Sequence, residues 1–119
     1  MTDQRTHQNV EVTDDGRTVA TAHVSTSPDP RGTTRASFRA ESGHLAAGTR
    51  ADLVDAVLNL PGVRGNARLE ATVPLGDTES MDRLRQRTSE MSTHAAGSSA
   101  LVDAELPLPP PSIPAVTTS

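Results

Sequence analysis

The stretch from Gly43 to Leu60 constrains the rest of the chain most, because it joins a glycine-punctuated loop to the one strongly patterned helix. Thr49 is a good N-cap, since its hydroxyl can accept from an otherwise unpaired amide of the first turn. Asp52 then falls at N3, where its carboxylate complements the positive helix start, as in a capping box with Asp in place of Glu. Leu53, Val54, Val57, Leu58 and Leu60 share one face at helical spacing, while Asp52, Asp55 and Asn59 share the other. Pro61-Gly62 ends the helix.

The segments around it read mainly as strands. Residues 1–7 carry no pattern and are expected as a flexible tail. Val10 to Thr13 alternates, Asp14-Asp15-Gly16-Arg17 supplies a turn in which Gly16 can take positive φ, and Thr18 to Thr26 is rich in β-branched residues; together they predict a hairpin. Ser27 to Gly32 holds two prolines and breaks the pattern. Thr33 to Glu41 alternates most clearly, with Ala36, Phe38 and Ala40 against Arg35, Ser37, Arg39 and Glu41. Such a strand is covered on one face and wet on the other. Pro61 to Asn66 reads as a loop and Ala67 to Leu75 as a strand. Asp77 is placed to cap a helix from Thr78 to about Met91, closed by Ala95-Ala96-Gly97, and Ser98 to Leu106 is the last strand.

The order β-β-β-α-β-α-β predicts an α+β fold: a two-layer sandwich of a mostly antiparallel five-stranded sheet with two helices on one face, over residues 8–106. Pro107 to Ser119 is proline-rich and is expected as an extended tail with P-x-x-P spacings able to dock on aromatic grooves.

Composition narrows the function classes. The 119 residues make one domain, and with 34% hydrophobic residues and Phe38 as the single aromatic, the core must be thin and built of Leu, Val and Ala. Thin cores gain from partner burial, so a protein partner or a homo-oligomer is expected. The net charge is −4 and all eleven basic residues are Arg, which argues against nucleic-acid binding. Absence of Cys removes thiolate chemistry and disulfides. No apolar stretch approaches the ~20 residues of a membrane span, and the polar start carries no secretory signal, so a cytoplasmic location is expected.

The chemistry-bearing candidates are few. Two glycines before the helix are spaced as in a phosphate-cradling P-loop, but Thr49-Arg50 stands where Lys-Ser/Thr belongs. What remains is a generic anion site at a helix start, with Gly43, His44, Gly48, Thr49 and Arg50 as candidate ligand-binding residues. The element order over residues 8–106 resembles the core of the GNAT acetyltransferases: a strand meander, a helix that receives the cofactor pyrophosphate, then strand, helix, strand. The resemblance implies that the family's Arg/Gln-x-x-Gly-x-Gly/Ala loop falls at Leu45 to Arg50, where Ala46-Ala47-Gly48-Thr49 lacks the second small residue. The tyrosine that family often uses as general acid has no counterpart, because the chain has no Tyr.

His7, His23, His44 and His94 show no metal-ligand spacing, no nucleophilic serine elbow is present, and neither a cofactor nor a catalytic residue is assigned from the residues. Asp14 and Asp15, beside Gly16, read as turn residues. Glu70, Asp103 and Glu105 are expected to share the open sheet face with Arg35, Arg39 and Arg68 as a solvated charge lattice. The main expectation is therefore a non-catalytic domain acting through protein contacts or self-association. The alternative is a small-molecule domain that binds acyl-CoA or another phosphate-bearing ligand.

Overall fold

The computed structural model describes residues 5–40 and 45–107; Gly43, His44 and the expected tail beyond Pro107 lie outside the described residues. In chain order the elements are β1 (Thr6–Asp14), β2 (Arg17–Thr26), β3 (Thr33–Ala40), α1 (Thr49–Leu58), the single-turn α2 (Pro61–Arg64), β4 (Arg68–Pro74), α3 (Thr78–Arg87), β5 (Ser89–Ala96) and β6 (Ser99–Glu105). The strands make one sheet in the order β1-β2-β3-β4-β6-β5. Every neighbouring pair is antiparallel except β3 and β4, which run parallel.

Alternation in the central strands makes the core. Ala22 and Val24, Ala36 and Phe38, Leu69 and Val73, and Val102 all turn to one face and are buried there. On that face α1 contributes Leu53, Val54, Val57 and Leu58, and α3 contributes Leu84. Burying a Leu or Val side chain contributes about 1.5–3 kcal/mol, so these few residues dominate the stability. At the β1–β2 turn both Asp15 and Gly16 take positive φ (53° and 76°), which matches the twist of a tight hairpin. The start of β1 falls within the stretch expected as a tail. Arg5 pins it, donating from Nη2 to the carbonyls of Ser25 (2.9 Å) and Thr33 (2.8 Å).

Three details depart from the expected architecture. The sheet has six strands rather than five, because the helix expected to reach Met91 stops at Arg87 and Ser89–Ala96 becomes a strand. Thr88 ends the helix in extended backbone, its Oγ1 donating to the Leu84 carbonyl at 2.7 Å. A bulge with Glu90 at φ 52° then turns the chain onto the edge of β6. The expected loop after α1 contains a helical turn, entered through extended Leu60 with Pro61 in the first position and anchored by buried Val63. The N-cap of α1 is Gly48 at φ 91° and not Thr49, which is the first helical residue. Glycine takes this positive φ without steric cost, but it brings no side chain to cap the first turn.

Asn66 fastens the loop between β2 and β3 to the start of β4. Its Oδ1 accepts from the Ser27 amide (3.0 Å) and Thr34 Oγ1 (2.9 Å), and its Nδ2 donates to the carbonyls of Ser27 (2.9 Å) and Asp29 (3.1 Å). The parallel pair β3–β4 is thereby anchored at its amino end.

Candidate functional site

The opposite end of that pair is open. The β3–β4 ladder runs from Thr33↔Arg68 to Ser37↔Thr72 and stops there. Both strands continue: β3 stays paired with β2 as far as Ala40↔Ala20, and β4 with β6 as far as Pro74↔Ser99. Two neighbours that each hold another partner but not one another must diverge. Beyond the carboxyl ends of the parallel strands lies a cleft of about 410 Å³, bounded by Ala40, Arg50 and the segment Pro74 to Glu79. Gly76, at φ 89°, makes the turn from β4 into α3, and Leu75 at the mouth is 49% exposed.

The start of α1 faces the same cleft. Gly48 and Thr49 form its entry, and Arg50 Nε lies 3.6 Å from Asp77 Oδ2. Asp77 is committed twice more, accepting from the Ser80 amide (3.1 Å) and Ser80 Oγ (2.7 Å) as the cap of α3. Three amides at the start of α1 are also engaged. Thr49 N–H donates to the Ala46 carbonyl (3.1 Å), Asp52 N–H to Gly48 (2.8 Å) and Ala51 N–H to Glu79 Oε2 (2.8 Å). Of the expected ligand-binding residues among the described ones, Arg50 lines the cleft, while Gly48 and Thr49 precede it at the start of α1 without lining it. Glu79 comes from α3, where its i,i+4 spacing to Arg83 reads as an ordinary helix-surface pair and gives no sign of a contact with α1. Arg83 instead reaches Asp55 on α1, as does Arg87 at 2.7 Å, so the two helices are clasped along their length.

The open sheet face carries a second concavity, of about 540 Å³. Its floor is a cross-strand row, His23↔Ser37↔Thr72↔Leu101, at the vertex where β3 and β4 part. His23 donates from Nδ1 to Asn9 Oδ1 at 2.5 Å. Of the expected charge lattice two pairs form, Arg35–Glu70 at 3.4 Å and Arg68–Glu105 at 3.8 Å. Exposed pairs of that kind contribute about 0–1 kcal/mol each. His7, His23 and His94 line this face, yet among the described residues no group of three or more His, Asp or Glu could hold a metal. Nor is any helix among them long and apolar enough to cross a membrane.

No protein-family profile and no curated protein matches the chain. Solved structures do. The GNAT domain of PAT from S. lividans matches with a TM-score of 0.58 at 15% identity, over 84% of this chain and 61% of that one. A ribosomal-protein-alanine N-acetyltransferase from Brucella melitensis gives 0.58 at 14%, over 84% and 68%. The protein yncA from Salmonella typhimurium, solved with its cofactor acetyl-CoA, gives 0.57 at 14%, over 93% and 70%. The fold is the GNAT fold. Identities this low carry the fold alone, and the chain spans 61–70% of the length of these three proteins. The expectation of a non-catalytic domain acting through protein contacts or self-association is overturned by these neighbours. They favour the ligand-binding alternative.

Acyl-CoA, the group this fold implies, has two parts that meet different surroundings. The uncharged thioester arm suits a crevice walled by Ala40, Pro74 and Leu75. The diphosphate does not fit the start of α1 as it stands: Glu79 holds the Ala51 amide, and two carboxylates face one guanidinium at the rim.

Proposed function

We propose that this chain is a small-molecule-binding domain of acetyltransferase fold that takes an acyl-thioester arm, as in acyl-CoA, in the crevice between β3 and β4. Arg50 lies at the rim of that crevice, with Gly48 and Thr49 behind it at the helix start. The reading is carried by one observation, the end of the parallel ladder at Ser37↔Thr72 while both strands run on. Two strands that part while each keeps its other neighbour leave room between them for an extended, uncharged arm.

A thermal-shift titration with acetyl-CoA tests it. At a hundredfold excess over Kd the stabilisation is about 2.7 kcal/mol, which for a domain of this size raises Tm by about 5 °C or more. Ala40→Trp, which fills the crevice, removes the rise. A flat response of the unsubstituted protein over the whole titration refutes the reading.

A further inference from the structure

We infer that Glu79 is an internal anion that closes the start of α1 to diphosphates, so that the crevice accepts acyl thioesters without a diphosphate, the acyl-pantetheine class, at least as well as acyl-CoA. The inference rests on the crevice proposed above. Glu79 Oε2 accepts from Ala51 N–H at 2.8 Å across 28 residues of chain, from one helix to the start of another. It supplies the side-chain cap that Gly48 cannot. A helix start carries roughly half a positive charge, which one carboxylate is enough to neutralise.

The neighbouring cation is committed as well, because Arg50 is paired with Asp77, whose side chain is only 7% exposed. A diphosphate arriving at this rim meets Asp77 and Glu79 and must expel the latter to reach the amide. An uncharged thioester arm lying along Ala40, Pro74 and Leu75 meets no such opposition. Glu79 is therefore a specificity-determining residue.

The test titrates the unsubstituted protein, Glu79→Ala and Glu79→Gln with inorganic pyrophosphate, acetyl-CoA and S-acetyl-pantetheine. Heat of binding and the Ala51 amide resonance are followed, and circular dichroism checks that each variant is folded. In the unsubstituted protein, pyrophosphate leaves Ala51 unmoved and the two thioesters bind within about threefold of one another. In Glu79→Ala, pyrophosphate shifts Ala51 and acetyl-CoA binds about tenfold tighter, the scale of a charge-assisted hydrogen bond, while S-acetyl-pantetheine is unchanged. Glu79→Gln, which keeps an acceptor oxygen but loses the charge, falls between. Acetyl-CoA binding the unsubstituted protein at least tenfold tighter than S-acetyl-pantetheine overturns the inference. So does pyrophosphate that fails to reach Ala51 in either variant. If neither thioester binds any of the three proteins, the crevice reading fails, and the pyrophosphate arm still decides the role of Glu79.

Discussion

Replacing Asn66 tests whether the parallel pair is anchored as described. The side chain is 4% exposed and uses its full capacity, two bonds accepted and two donated. Its partner Thr34 is fully buried. Asn66→Ala removes four bonds worth roughly 0.5–1.5 kcal/mol each and strands the buried Thr34 hydroxyl and the half-buried Ser27 amide, for a loss of about 3 kcal/mol or more. That is a large share of the ~5–15 kcal/mol available to a domain. Asn66→Asp keeps the two accepted bonds but turns an oxygen toward two carbonyls and buries a charge. Its cost at neutral pH exceeds that of Ala. Burial and the facing carbonyls raise the new carboxyl's pKa in the folded protein above its unfolded value of about 3.9. The folded variant then holds more protons than the unfolded chain. Its deficit relative to the unsubstituted protein is smallest below the unfolded pKa and grows as pH rises through the folded one. Urea unfolding followed by circular dichroism, across a pH series, measures both. A loss under about 1 kcal/mol for Asn66→Ala, or a deficit for Asn66→Asp that is flat with pH, refutes the reasoning.

Leu84 is the one fully buried large apolar side chain of α3, so Leu84→Ala should cost about 2.5–4 kcal/mol in the same assay; below about 1.5, α3 is held by something else. Asp55→Ala breaks the clasp to Arg83 and Arg87, but all three side chains are about a third exposed (28%, 32% and 34%). The loss should be about 1–2 kcal/mol at low salt and smaller in 1 M salt, and a salt-independent loss contradicts the electrostatic account. A Cβ on Gly48 meets no atom within 4 Å, so Gly48→Ala should cost only the left-handed backbone, about 1–2 kcal/mol by melting. A loss well beyond that shows a packing role for the position.

Much of the fold is legible because period-two alternation is a local signal. Thr33–Ala40, Arg68–Pro74 and Ser99–Glu105 each carry it, and each is a strand with the expected face buried. β5 carries none: of Ser89 to Ala96 only Met91 is even half-buried. Its strand exists because β6 offers a pairing edge, a cause that lies outside its own residues. The same holds for the parallel β3–β4 pair, which no alternation within either strand can distinguish from an antiparallel one. At the candidate site, the glycine loop and Arg50 were visible as a helix start. Glu79 was not, nor was Asn66 at the other end of the parallel pair, because each acts on residues 28 to 39 positions away and looks like an ordinary surface or turn residue.

The central claim, a ligand crevice between β3 and β4, is tested most directly by amide NMR of the 15N-labelled protein titrated with S-acetyl-pantetheine. The account predicts shifts confined to the crevice, at Ala40, Arg50, Leu75, Gly76 and Asp77. No shift at any of these amides, or shifts gathered instead on the open face at Asn9, His23, Ser37 and Thr72, contradicts it.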